Sequence, residues 1–240
     1  HSGLMGTLTE GGALTYNSVT VGAVTVNSNG SLTLTFNSSA TTAIVNGVLQ
    51  SITYENSANE PASSVSLNFV FNDGLETTSG SNLVVASITE LNDAPILTAL
   101  GTNPAFIEGS SAVQVFSGSN VSTVEANQKI NGLTIAVSNV SDSGEEKLSV
   151  DGSNILLGSG QSGTTSSGLG YTVSVESQTA TLTLTGGSLT EAETQSIVDA
   201  IAYQNDSHDP SIDNNRVVSL TNISESGSEN TTSNLAITST

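Results

Sequence analysis

The chain reads as an all-β protein built from tandem β-sandwich modules, and three observations carry that reading. An internal repeat places equivalent residues at a fixed spacing, with Tyr54 and Tyr203 lying 149 positions apart. Apolar residues alternate with Ser and Thr through both halves, the period expected of half-buried strands. Gly, Asn and Ser clusters interrupt those alternating runs at short intervals, the pattern of a many-stranded antiparallel domain.

The repeat fixes the architecture before any function is considered. Its first copy runs LQSITYEN from Leu49 to Asn56, then Pro61, then VSLNFVF from Val65 to Phe71. The second runs VDAIAYQN from Val198 to Asn205, then Pro210, then VVSLTNI from Val217 to Ile223. Ile52 and Ile201, Asn56 and Asn205, and Pro61 and Pro210 keep the 149 spacing, and a three-residue insertion between Ser211 and Arg216 moves it to 152. The linker Glu90-Leu91-Asn92-Asp93-Ala94-Pro95 separates the copies, so residues 1–91 form one module and 92–240 the other. The second has about 50 more residues before the shared segment. The first is therefore expected to be N-terminally truncated, and its unpaired strands are expected to allow exchange between chains.

Within each copy the elements follow from local pattern. Val19 to Val26, Asn27 to Gly30 and Ser31 to Phe36 make a hairpin with an Asn-Gly turn. Thr179 to Thr185 alternates strictly, and Ala13 to Tyr16, Leu83 to Ile88, Val113 to Phe116, Leu133 to Val137, Tyr171 to Val175 and Leu235 to Thr238 are further strands. One short helix is expected per module. In the second, Ser188 and Glu191 have capping-box spacing, and Ala192, Ile197, Val198 and Ile201 form the apolar stripe. In the first, Ser39 to Leu49 offers Ile44, Val45, Val48 and Leu49.

Composition narrows the function classes. Three Lys/Arg against 22 Asp/Glu give a formal charge of -19, which repels nucleic-acid phosphates and anionic lipid. Charged residues are only 10% of the chain and the apolar runs are regular, so the acidity does not signal disorder. Most carboxylates have no basic partner to pair with, and Ca²⁺, which prefers carboxylate and amide oxygens, is the natural counter-charge. Cysteine is absent, which excludes disulfides and thiol chemistry. No apolar run is long enough to cross a bilayer, and no signal peptide is visible. His1-Ser2-Gly3 reads as an artificial remnant in place of a native start.

The linker is the first candidate site. Pro95 restricts Ala94 to extended geometry, so Glu90, Asn92 and Asp93 are presented on a taut segment. Those side chains either ligate a cation or are simply solvated. Other polar clusters favour plain readings. Asp206, His208 and Asp209 make a polar turn before Pro210, and Glu145-Glu146-Lys147 is a charged loop with no partner motif.

The order of Ile52 to Asn56, then Phe69 to Gly74, a last strand to Thr89 and the Asn-Asp-Ala-Pro junction resembles the cadherin-like tandem modules of giant bacterial surface adhesins, including those of the repeats-in-toxin type. The resemblance extends from about Leu14 onward. It implies Greek-key β-sandwiches of cadherin/immunoglobulin type in a secreted, surface-attached protein, with calcium held between successive modules. By the same resemblance, Glu55 takes the acidic end of the family's Leu-Asp-Arg-Glu motif, although Thr53 replaces its aspartate. Glu125 and Asn127 stand in the place of the family's Asp-x-Asp, and Glu225 in the place of Asp73. The implied metal set is thus Glu55, Glu90, Asn92, Asp93, Glu125 and Glu225. Glu108 matches an early acid that such modules use at their next junction.

Catalysis has little support. Beyond His1, His208 is the lone base of its kind, and no nucleophile elbow, phosphate loop or zinc-protease motif is present. A carboxylate pair for glycoside cleavage would still need a sugar-stacking platform, and there is no Trp. No catalytic residues are assigned. The sequence reads as an extracellular structural extender that partners neighbouring modules, the alternative being an adhesion module for a cell-surface polysaccharide or protein.

Overall fold

The computed structural model describes residues 5–75, 82–142, 144–229 and 231–240, so the reading of His1-Ser2-Gly3 lies outside the described residues. The chain folds as two compact units that divide between Ser57 and Ala58. Nearly all of the regular structure is antiparallel strand, as the alternating pattern predicts.

The first unit is a three-stranded meander with one helix. Strands β1 (Ala13–Tyr16), β2 (Val19–Ser28) and β3 (Ser31–Phe36) pair in that order. The β1–β2 turn sets Asn17 and Ser18 at φ 50° and 64°, and the β2–β3 turn sets Asn29 and Gly30 at 49° and 73°. Two consecutive positive φ values give the turn whose twist matches flanking strands, which explains the Asn and Gly found there. Helix α1 (Thr42–Ser51) starts at the cap Thr41, whose side chain accepts from the Ile44 N–H. Its Val48 joins Leu14, Val21 and Val24 in a small buried core, with Tyr16, Leu34 and Phe36 packed around it.

The second unit opens with a separate hairpin, β4 (Ser64–Phe69) and β5 (Asn82–Ser87), that pairs only with itself among the described residues. There follow β6 (Ile96–Gly101), β7 (Val113–Gln114), β8 (Phe116–Ser122), β9 (Ile130–Ser138), β10 (Glu146–Val150), β11 (Ser153–Leu156), β12 (Ser162–Thr164), β13 (Gly170–Glu176) and β14 (Thr179–Thr185). Helix α2 (Glu191–Asp199) and strands β15 (Ala202–Asn205), β16 (Val217–Glu225) and β17 (Thr232–Ser239) complete it. A six-stranded sheet has the order β12-β13-β14-β9-β16-β17, a four-stranded one β11-β10-β15-β7, and β6 pairs with β8. The inward residues of both larger sheets enter one core: Ile135, Val137, Leu182 and Leu220 from the first, Leu148, Val150, Ile155 and Tyr203 from the second.

Two local expectations are corrected. The capping box of α2 is Thr190 with Glu193, two residues beyond Ser188 and Glu191. Glu191 instead turns to the loop just past β8, where its carboxylate accepts from the Thr123 N–H at 2.8 Å. Residues 145–147 are not a charged loop, because Glu146 begins β10 and is fully buried. The Asp151-Gly152 turn (φ 50° and 68°) that closes β10 onto β11 was the available signal for that hairpin.

The internal repeat is visible in the elements themselves. Strands β2 and β3, helix α1, and hairpin β4–β5 follow one another as β13 and β14, α2, and β16–β17 do, and caps Thr41 and Thr190 keep the 149 spacing. Repeat and compact unit do not share a boundary, since β4 and β5 belong to the first repeat and the second unit. The copies differ in pairing. Strand β15 pairs with β10 and β7, whereas its counterpart, residues 52–56, belongs to no strand. Tyr203 is accordingly 7% exposed and Tyr54 45%.

Candidate cation site

Five of the six sequence-predicted site residues lie in the second unit; Glu55 lies in the first and is exposed. The linker reaches the second unit's core through Pro95, which is buried and whose carbonyl accepts from the Ser233 hydroxyl. Just ahead of it, Asn92 is gripped at both ends of its amide. Its Nδ2 donates to Glu225 Oε1 at 2.8 Å and to the Glu229 carbonyl at 2.5 Å, while its Oδ1 accepts from Gln128 Nε2. Gly227 is required here, because a β-carbon at that position would overlap the Asn92 amide.

Glu225 ends β16 and is 1% exposed, with its second oxygen accepting from the Gly227 N–H at 2.5 Å. Glu125 comes from the loop between β8 and β9 and is 6% exposed. Strain aims it inward: the preceding Val124, a β-branched residue, sits at φ 70°, and Asn127 at 66°. Ser122, Glu191 and Glu60 hold this loop, through the Val124, Thr123 and Ala126 N–H groups respectively. Glu125 Oε1 accepts from the Asp93 N–H at 2.8 Å. Asp93 thus contributes its backbone, and its exposed carboxylate does not line the cleft.

A polar cleft of about 570 Å³ is lined by Glu60, Glu90, Asn92, Glu125 and Gln128 among others, and Glu225, which bonds Asn92, is not part of its lining. Two buried side-chain atoms of the described residues lack any hydrogen-bond partner, and both are oxygens of this cleft: Glu125 Oε2 and Gln128 Oε1. No ion pair of the described residues reaches Glu125 or Glu225. An unpaired buried carboxylate is costly, so the site calls for positive charge or donors from outside the chain. Carboxylate and amide oxygens, which Glu125, Glu90, Glu60, Asn92 and Gln128 bring to the cleft, are the donor types a hard cation such as Ca²⁺ prefers. Among the described residues, no three His, Cys, Asp or Glu side chains form a metal-binding group, so amide oxygens would have to share the coordination. Glu60 had no sequence signal; it precedes Pro61 in a stretch without periodic pattern.

A second buried acidic cluster solves the same problem internally. Glu146 accepts from Arg216 Nε and Nη2 at 3.1 and 2.9 Å, from Tyr203 Oη at 2.9 Å, and from the Ser141 and Asp142 N–H groups. Burial pushes its carboxyl up, but Arg216 and these donors together hold it below the usual range. Burial and the neighbouring carboxylate raise the Tyr203 hydroxyl, and Glu146 raises Arg216. Asp142 accepts from Asn205 and joins Arg216 at 3.3 Å. The turn at 206–209 is a chain of side-chain-to-backbone bonds, with Asp206 paired to Lys147. Glu108 lies apart from the cation cleft, on a wider cleft lined by Phe106, Tyr203 and Arg216.

No described helix is long and apolar enough to cross a membrane. No family model, curated protein or solved structure matches the chain.

Proposed function

We propose that the chain is a structural extender segment of a large bacterial surface adhesin, built from tandem Greek-key β-sandwich modules and stiffened by calcium at the linker. One observation carries the reading: the two orphan buried oxygens, Glu125 Oε2 and Gln128 Oε1, sit in one acidic cleft beside the repeat-separating linker. Glu125, Glu225, Glu90, Asn92 and Gln128 would hold the ion, with Glu60 at the rim. Bound there, Ca²⁺ supplies the charge that the interior lacks and fastens residues 90–93 to the 123–128 loop and the end of β16. Glu55 and the Asp93 carboxylate remain candidate ligands through the resemblance to cadherin-like modules. An extracellular setting fits this chemistry, since calcium is abundant there and modest affinity suffices. Repetition then serves length, and the polar Ser/Thr strand faces keep the segment inert. Adhesion to a glycan or protein through those faces is the alternative.

The test combines calorimetric calcium titration with small-angle scattering of the whole chain. We expect one or more binding events and a scattering profile that changes between calcium and chelator. Binding without a change in profile would retain the ion but remove the stiffening role. No binding at millimolar calcium would remove both.

A further inference from the structure

Three asparagines of the chain precede a glycine, in Asn29-Gly30, Asn46-Gly47 and Asn131-Gly132, and the fold treats them differently. The pairing matters chemically, because the backbone nitrogen that follows an asparagine can attack the side-chain amide carbon. Glycine presents that nitrogen with no β-carbon to hinder the approach.

Two of the pairs are locked. Gly47 lies in the middle of α1, where its N–H belongs to the helical ladder and the helical ψ of Asn46 turns its side chain away from that nitrogen. The Tyr16 hydroxyl also lies against Gly47, where a β-carbon would overlap it. Asn131 is held at both ends of its amide: Nδ2 donates to the Glu225 carbonyl at 2.8 Å, and Oδ1 accepts from the Ser224 hydroxyl at 2.6 Å. Gly132 stands in β9 between β14 and β16, opposite Ser224.

The third pair is open. Asn29 and Gly30 make the exposed two-residue turn between β2 and β3, and neither the Asn29 amide nor the Gly30 N–H has a hydrogen-bond partner among the described residues. Nothing lies within 4 Å of where a Gly30 β-carbon would stand. The turn itself does not demand this pair. In the second repeat the turn between β13 and β14 takes similar positive φ values, 46° and 63°, with Ser177 and Gln178. The β1–β2 turn does so with Asn17 and Ser18.

We infer that Asn29 is a site of spontaneous covalent modification, an intramolecular deamidation that the fold permits there and blocks at Asn46 and Asn131. The Gly30 nitrogen bonds to Asn29 Cγ, the Cγ–Nδ2 bond breaks, and ammonia leaves with the proton that the Gly30 nitrogen gives up, which closes a cyclic imide. Water then opens the ring. Breaking the bond from nitrogen to Cγ leaves aspartate, and breaking the bond from nitrogen to the backbone carbonyl carbon leaves isoaspartate, whose main chain runs through Cβ. Either product adds one negative charge to a chain already at -19. Isoaspartate also lengthens the main chain of a two-residue turn whose twist has to match β2 and β3. The inference rests on this hairpin, independently of the calcium reading.

The experiment incubates the full chain at mildly alkaline pH, where the attacking nitrogen loses its proton more readily. Mass spectrometry of acid-protease fragments follows each asparagine, with electron-transfer dissociation to place the mass gain and to separate isoaspartate from aspartate. Asn29 should convert at least about tenfold faster than Asn46 or Asn131, each of which has to wait for its helix or strand to open. In denaturant the three pairs should converge, because the difference comes from the fold. Asn17, in the same kind of turn but followed by Ser18, should lag behind Asn29, and Gly30→Ser should slow Asn29 toward the Asn17 rate. Similar rates at the three pairs in the folded chain overturn the inference, as does an Asn29 that stays intact while the denatured chain converts. Conversion in Gly30→Ser as fast as in the wild type overturns it too.

Discussion

Replacing Glu125 by Gln gives opposite results with and without calcium if the cleft holds a cation. The amide keeps a carbonyl oxygen to accept from the Asp93 N–H, so the loop anchor survives. What disappears is the charge on the oxygen that has no partner. In chelator the wild type holds that charge buried and unpaired, and the variant should be more stable by about 1 kcal/mol or more. In calcium the order reverses. Extracellular calcium modules bind with a Kd near 10⁻⁴ M, so about 10 mM calcium is on the order of 100 times Kd. The wild type then gains about 2.7 kcal/mol by mass action. For a unit of this size, that is about 5–10 °C in Tm. The variant, short of one charged ligand, should gain less than half of it. Differential scanning calorimetry in chelator and in calcium reads both differences. If Glu125→Gln shows the calcium shift of the wild type, Glu125 is no ligand, and its burial serves the Asp93 contact alone.

Other expectations follow from the internal cluster and the repeat. Arg216→Met leaves Glu146 buried without its cation and should cost about 3 kcal/mol, read as a lowered denaturation midpoint. Because the folded-state carboxyl of Glu146 lies below its ordinary value of 4.5, its stabilisation is full above that pH. The stabilisation is lost as pH falls through the folded-state value, and acid titration of the variant should show a smaller loss there than the wild type. Tyr203→Phe removes a buried hydroxyl bonded to Glu146 and should cost about 1–2 kcal/mol. The same change at the repeat-equivalent but exposed Tyr54 should stay within about 0.5 kcal/mol. Gly227→Ala drives a methyl into the Asn92 amide and should weaken calcium affinity and stability together, measured by titration and thermal shift.

The fold was legible where it depends on pattern within one segment. Alternation found β2, β3, β13 and β14 because their faces differ in burial, and Asn-Gly marked one turn because both residues take positive φ. Strand β10 escaped because Glu146 and Lys147 look solvent-facing, and only Arg216, about 70 residues later, makes a buried glutamate tolerable there. The same limit applies to the site. Asn92 and Glu125 were named from linker chemistry and resemblance, while Gln128 and Glu60 carried no periodic or motif signal. Their roles come from a loop bent by Val124 at positive φ, a conformation that a β-branched residue gives no warning of. The repeat predicted equal segments, but Ile52 to Asn56 is no strand where Ala202 to Asn205 is. The reason is that a strand exists through its partners, and the partners of β15 come from outside the repeated segment.

The two buried acidic clusters of the second unit face one electrostatic problem with different cations. At Glu146 the chain spends its one well-placed arginine, and the cluster is closed. Lys147 is committed to Asp206, and Lys129 forms no ion pair among the described residues. No ion pair of the described residues reaches Glu125 or Glu225, and the proposed reading has the solution supply the missing charge. That dependence is convertible. In Gln128→Lys the orphan amide oxygen is replaced by an ammonium at a position whose side chain already reaches Asn92, the partner of Glu225. If missing charge is the reason for calcium, the variant in chelator should recover most of the wild type's calcium gain of about 2.7 kcal/mol. Calcium should then add little, because the cleft is already neutralised. Such a variant would be as stable in chelator as in calcium, with thermal melting as the readout. An undiminished calcium shift in Gln128→Lys would show that the ion acts through geometry and not through charge, and would move the site away from Gln128.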